Sequence, residues 1–115
     1  MADDTDHLIA VVARVATPDL PAFQLRKGEI GLSVFDLSAV DPPISESELL
    51  ESFRSGSIVL YRTLEQVAAL GLLLAESDGA ETLSDRLKLS HREIVPNRAM
   101  TRNQFKATLK LLEQL

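Results

Sequence analysis

Three helix-start signatures constrain the fold of this chain more than any other feature of its sequence. At each, a hydroxyl residue is followed three residues later by a glutamate or glutamine: Ser45 with Glu48, Thr63 with Gln66, and Thr101 with Gln104. In such a capping box the two side chains satisfy backbone N–H groups that the start of a helix leaves unpaired. The signatures predict helices over 46–54, 64–70 and 102–114.

The segments around these helix starts are short, apolar and rich in β-branched residues, which is typical of strands. They predict strands over 8–15, 23–27, 31–36, 57–62, 72–76 and, as a short final strand, 93–95. Thr82 or Ser84 is placed to cap a fourth helix over 83–91.

The connections between the first predicted strands are short, which favours antiparallel pairing of these strands. We therefore expect an α+β fold: a single compact domain over 7–115, with a curved or split, mainly antiparallel sheet of about five to six short strands flanked by helices. Residues 1–6 are expected to form a disordered acidic tail.

Composition excludes several classes of protein. The 115 residues include no cysteine, which excludes disulfide frameworks, thiolate zinc sites and iron–sulfur clusters. No apolar run approaches the ~18 residues that a membrane-spanning helix needs. The first six residues carry three aspartates, unlike the basic start of a secretory signal. We therefore expect a cytoplasmic protein with no membrane partner.

Charge is unevenly distributed along the chain, whose net charge is −5. Residues 1–57 carry four basic and ten acidic side chains, which gives −6, whereas residues 58–115 carry eight and seven, which gives +1. Within 86–110, seven basic residues are accompanied by Glu93 alone. Such an excess can attract a phosphate-bearing ligand or an acidic protein, and it equally suits a solvated helix face. The acidic overall charge and the lack of interleaved aromatic residues argue against nucleic acid as a partner.

His91 is the histidine that most suggests chemistry, because it follows Leu83 and Leu87 at four-residue spacing on one predicted helix face. One interpretation is a structural histidine satisfied by a backbone carbonyl. The other is an imidazole aimed into a site, where it serves as a hydrogen-bond donor or a base. We assign no role to His7. With no cysteine and one usable histidine, we expect no metal site.

Two segments, taken in order, resemble a known family. The first is Gly31-Leu-Ser-Val-Phe-Asp36, and the second is Arg86-Leu-Lys-Leu-Ser-His91-Arg-Glu-Ile94-Val-Pro96, followed by Met100 and an amphipathic C-terminal helix. The pair resembles the strand and the histidine-containing segment of small cytotoxic effectors of bacterial type VI secretion, whose fold is similar to that of ADP-ribosyltransferase toxins. The identities lie in these two segments, and the order of elements agrees over most of 8–115.

The resemblance implies a toxin-like protein that acts in the cytoplasm through NAD-dependent ADP-ribosyl transfer and is neutralised by a cognate immunity or antitoxin protein. It implies catalytic roles for Ser33 and His91. It also implies an NAD-binding arginine at the end of the first strand, for which Arg14 and Arg26 compete. An arginine fork suits phosphate, and a strand serine can hydrogen-bond a ribose. A carboxylate usually stabilises the positive charge that develops on the ribose during such a transfer.

A non-catalytic protein–protein interaction module, such as an immunity protein, an antitoxin or an adaptor, is the alternative on the same scaffold. Leu32 stands where the family has a threonine before its strand serine. No motif identifies a catalytic carboxylate: Glu29, Asp36 and Glu76 suit either catalysis or surface solvation. The acidic N-terminal half is a further feature of the chain that favours this alternative.

Overall fold

Five strands and four helices form in the computed structural model, which describes residues 7–14, 22–25, 27–53, 55–78 and 81–115. The strands are β1 (Leu8–Arg14), β2 (Leu32–Asp36), β3 (Ser57–Thr63), β4 (Leu72–Glu76) and β5 (His91–Pro96). The helices are α1 (Glu46–Glu51), α2 (Leu64–Ala69), α3 (Asp85–Ser90) and α4 (Arg102–Glu113). A 3₁₀ turn, Leu37–Ala39, follows β2.

The five strands make one sheet in the order β3-β1-β2-β5-β4, with every neighbouring pair antiparallel. Successive strand residues point to opposite faces, and in β1 the neighbours Ile9 and Ala10 enter two separate hydrophobic clusters. The first cluster takes in side chains of α2 and α4, and the second takes in Leu49 of α1 and Leu87 of α3. The prediction of a compact, single-domain α+β protein with an antiparallel sheet flanked by helices is confirmed.

The strand predicted over 23–27 is wrong in the residues that the structure describes. Phe23 and Leu25 are buried and Gln24 is exposed, so the alternation in the sequence does record burial. The segment nevertheless joins no strand ladder and ends in a turn at residues 27–28. Two apolar anchors hold a loop in the core here, and alternation alone cannot distinguish such a loop from a strand. The predicted tail, 1–6, lies outside the described residues.

The predicted helix starts are confirmed at all three positions, since the hydroxyl at each accepts a hydrogen bond from the backbone N–H three residues later. At Thr63 and Thr101 the capping box is complete, because the side chain of the glutamine three residues later also accepts a hydrogen bond from the backbone N–H of the threonine. At Ser45 the Glu48 carboxylate instead binds Arg86, whose Nε lies 2.7 Å from Oε2 and whose Nη2 lies 3.1 Å from Oε1. These hydrogen bonds hold the pKa of Glu48 below its ordinary value, against the opposing effect of desolvation. Of the two candidate caps for the fourth helix, Ser84 is the one used.

Helix α4 is fastened to the sheet at its C-terminal end. The Arg62 guanidinium of β3 donates to the carbonyl oxygens of Leu112, at 2.7 Å, and Glu113, at 2.6 Å. A cation is favourable there because the last turn of a helix leaves carbonyls unpaired and carries partial negative charge. Phe105 and Leu109 of the same helix are buried against the sheet. Together with the Arg62 contacts, they determine which side of α4 faces solvent. Among the described helices, of which α4 is the longest, none combines the length and apolar character that crossing a bilayer requires.

Candidate functional site

A cavity of about 570 Å³ opens where β1 and β2 separate. The register pairs these strands at Ile9 with Asp36 and at Ala10 with Phe35. Beyond those pairs, residues of both strands line the cavity: Val11 and Val12 from β1, and Leu32 and Ser33 from β2. We call this cavity the β1–β2 cleft. Its volume is within the range of about 300–1,000 Å³ that is usual for small-molecule sites.

Ser33 and His91 both line the β1–β2 cleft. Strands β2 and β5 are paired so that Ser33 lies opposite Glu93, and Phe35 lies opposite His91. These four residues share one face of the sheet because side-chain direction alternates along each strand. Ser33 and His91 are diagonal neighbours across the two strands, a relation in which residues lie about 7–8 Å apart. The two residues singled out by the resemblance, 58 positions apart in sequence, are thus brought to one cavity.

The placement of His91 on a helix face is wrong, because α3 ends at Ser90 and His91 is the first residue of β5. At this position the backbone pairs with Phe35 of β2 instead of continuing the helix. The two rings lie edge to face, with their centroids 5.5 Å apart. The His91 side chain is buried, at 7% exposure. Its Nδ1 lies 3.3 Å from the carbonyl oxygen of Ser77. Since a carbonyl only accepts, this contact places the proton on Nδ1 and leaves Nε2 as an acceptor in the neutral ring.

The two candidate phosphate-binding arginines fall at the limits of the described structure. Arg14 is the last residue of β1 and pairs in register with Ser57, but its side chain lies outside the described part. Arg26 lies outside the described residues altogether. Each follows a cleft-lining residue by two positions in sequence, Val12 in the first case and Gln24 in the second. An NAD-binding role for either arginine therefore stays a prediction.

Glu93 lines the cleft as well, although the sequence did not single it out. It lies opposite Ser33, and its carboxylate reaches over Gly31, where a Cβ atom would come within 3.0 Å of Oε2. The absence of a side chain at Gly31 therefore leaves room for this carboxylate. The sequence does contain an indication of this position. If His91 begins a strand, Glu93 lies two residues later and therefore points to the same face of the sheet.

The carboxylates considered from the sequence occupy three different positions. Glu29 lines the cleft, whereas Glu76 is the exposed last residue of β4. Asp36 lies away from the cleft and binds His7, with 2.6 Å between Oδ1 and Nε2. The Ser38 hydroxyl lies 3.0 Å from the same histidine nitrogen. A catalytic triad needs the serine and the carboxylate on opposite ring nitrogens, so this cluster ties the start of β1 to the end of β2 without forming a triad.

The charged side chains that line the cleft in the described part of the chain are all acidic: Glu29, Asp78 and Glu93. The described lining also includes Phe35 and Phe53, whose rings meet edge to face at 5.9 Å. Carboxylates beside aromatic rings favour the cationic part of a ligand. Among the described residues, no group of three or more histidines and carboxylates is assembled that could hold a metal ion.

The chain matches no protein-family model, and no curated protein or solved structure resembles it significantly.

Proposed function

We propose that this protein is a toxin-like ADP-ribosyltransferase that binds NAD in the β1–β2 cleft and is restrained by a cognate immunity partner. The observation that carries the proposal is the pairing of Ser33 with Glu93 on two hydrogen-bonded strands, at the edge of a cavity of ligand size. This pairing adds a carboxylate to the serine and histidine that the family resemblance implies. An ADP-ribosyltransferase-like arrangement of the sheet is part of the same proposal.

The described cleft suits one part of NAD better than the rest. The nicotinamide ring of NAD is cationic, which fits the Glu93 and Asp78 carboxylates and the nearby phenylalanine rings. The pyrophosphate is anionic and needs a cation. The proposal assigns that role to Arg14 or Arg26, which follow cleft-lining residues in sequence.

Each cleft side chain has a separate task in the proposed reaction. When bound, NAD supplies an ADP-ribosyl group: the bond from its ribose to nicotinamide breaks, nicotinamide leaves with the bonding pair, and the target nucleophile bonds to the ribose and loses a proton. The Glu93 carboxylate stabilises the positive charge that develops at the ribose. The Ser33 hydroxyl donates a hydrogen bond to a ribose oxygen. His91, with its Nδ1 held by Ser77, accepts the proton of the nucleophile at Nε2.

A non-catalytic interaction module is the second candidate, and one specific observation favours it. The described lining of the cleft offers carboxylates and no lysine or arginine, which suits a basic side chain of a partner protein as well as it suits nicotinamide. In that case His91 is a structural residue, satisfied by the Ser77 carbonyl. The two functions differ in what happens when the protein is expressed alone.

Growth of a sensitive bacterium that expresses the protein in its cytoplasm tests the proposal. We expect the wild type to inhibit growth, and Ser33→Ala and His91→Gln each to relieve the inhibition. Glutamine keeps a hydrogen-bonding end of similar size but cannot act as the base. Both variants should keep their melting temperature within about 5 °C of the wild type, the shift that about 1 kcal/mol produces in a domain of this size.

His7→Gln is the matched control, because His7 binds Asp36 outside the cleft; this variant should stay toxic. Co-expression of the gene encoded beside this one should also relieve inhibition by the wild type. A wild type that is harmless when expressed alone favours the interaction module. Toxic Ser33→Ala and His91→Gln variants would refute the site.

A further inference from the structure

Asp78 and Phe53 line the β1–β2 cleft but take no part in the proposed bond-making steps. Asp78 is exposed and directly follows Ser77, whose carbonyl oxygen lies 3.3 Å from Nδ1 of His91. The half-buried Phe53 ring lies edge to face with the Phe35 ring, with the centroids 5.9 Å apart, and Phe35 meets His91 in the same way at 5.5 Å. A carboxylate and an aromatic ring therefore lie near the proposed base. We call Asp78, Phe53 and His91 the His91 end of the cleft.

The charge at the His91 end favours a cation. In the part of the lining that the structure describes, the charged side chains are acidic, and neither lysine nor arginine occurs. Nicotinamide is positively charged while it is part of NAD, but it leaves as a neutral molecule because it takes the bonding electron pair. The Asp78 carboxylate then loses the positive charge that it faced, and a positively charged acceptor replaces that charge.

From this arrangement we infer that the group that receives ADP-ribose is the guanidinium of an arginine side chain, an inference that rests on the proposed transferase function. A guanidinium is planar and always charged, presents a fork of N–H donors that matches a carboxylate, and stacks on aromatic rings. Asp78 supplies the carboxylate and Phe53 supplies the ring. The ammonium of lysine has the charge but no plane to stack, and a hydroxyl, thiol or amide has no charge to pair with Asp78.

The residues of the cleft are sufficient for transfer to arginine. The bond between the ribose and nicotinamide breaks, and nicotinamide keeps the electron pair. A guanidinium nitrogen forms the new bond to the ribose carbon as one of its protons passes to Nε2 of His91. The product is a substituted guanidinium that keeps its positive charge, so the Asp78 carboxylate stabilises the acceptor both before and after the reaction.

The test incubates the full chain with labelled NAD and proteins of the sensitive bacterium. Mass spectrometry should locate the ADP-ribosyl group on arginine residues. Arginine capped as its N-acetyl methylamide should compete for the label more strongly than the matching lysine compound. The citrulline compound, which has nearly the shape of arginine but no charge, should not compete. Asp78→Asn should weaken competition by the capped arginine about tenfold, as expected for the loss of one charge-assisted contact, and should change the KM for NAD less.

Asp85→Asn is the matched control, because Asp85 is an exposed aspartate in the first turn of α3 and is absent from the described cleft lining. It should leave competition by the capped arginine unchanged. ADP-ribose on another type of residue, equal competition by the citrulline compound, or an unaltered Asp78→Asn variant would each overturn the inference and leave the transferase function in place. If neither label transfer nor nicotinamide release occurs, the proposed function itself is refuted, and the inference falls with it.

Discussion

Glu93→Gln is expected to lower kcat for ADP-ribosyl transfer by about 10²–10³-fold, the size of effect seen when one electrostatic contact to a transition state is removed. Glutamine keeps the size and hydrogen-bonding capacity of the side chain above Gly31, while the negative charge opposite Ser33 disappears. Because that charge acts on the positive charge of the transition state, kcat should fall far more than KM changes. Release of nicotinamide, followed by chromatography, measures the rate.

Glu65→Gln is the matched control for this prediction. Glu65 is an exposed glutamate in the first turn of α2, and it is absent from the described cleft lining. Its neutralisation removes the same charge from the chain and should leave kcat unchanged. If Glu93→Gln retains the rate of the wild type, Glu93 is not the catalytic carboxylate and the proposed mechanism fails.

Leu109→Ala is expected to lower the free energy of unfolding by about 2–5 kcal/mol, the usual cost of replacing a fully buried leucine. Leu109 has 0% exposure in the cluster that joins α4 to the sheet. The deletion therefore removes apolar burial and leaves a cavity. The melting temperature should fall by roughly 10 °C or more, as measured by thermal denaturation.

Leu111→Ala makes the same chemical change two residues further along the same helix, at a position that is 53% exposed. It should alter the free energy of unfolding by no more than about 0.5 kcal/mol. Similar losses for the two variants would mean that α4 packs on the sheet through a different face.

Local features of the fold were predictable because they depend on neighbours in sequence. The hydroxyl caps at Ser45, Thr63 and Thr101 each bond to a backbone group three residues away, so the sequence alone identifies them. Strands β1 and β4 are apolar up to one charged residue at the end of each, and their predicted bounds agree with the structure to within one residue. The strand prediction for 23–27 is wrong because the alternation there arises from two side chains that are buried in the core, and not from pairing with another strand.

The cleft was less predictable, because strand register and core packing determine it. Ser33 and His91 could be named from the family resemblance, but the strand position of His91 depends on pairing with Phe35, 56 residues earlier. Glu93 went unnoticed for the same reason, since only the register of β2 and β5 places it opposite Ser33. The incomplete capping box at Ser45 has a similar cause. The Glu48 side chain binds Arg86, which lies 38 residues away, and not the backbone N–H of Ser45.

An NAD titration followed by two-dimensional amide NMR tests the central claim most directly, since it asks whether NAD enters the β1–β2 cleft. The claim predicts saturable shifts that centre on Gly31, Ser33 and Glu93 as NAD rises to millimolar concentration. It also predicts a rise in melting temperature that follows RT ln(1 + [L]/Kd). Spectra that stay unchanged at millimolar NAD, or shifts confined to surfaces outside the cleft, would contradict it.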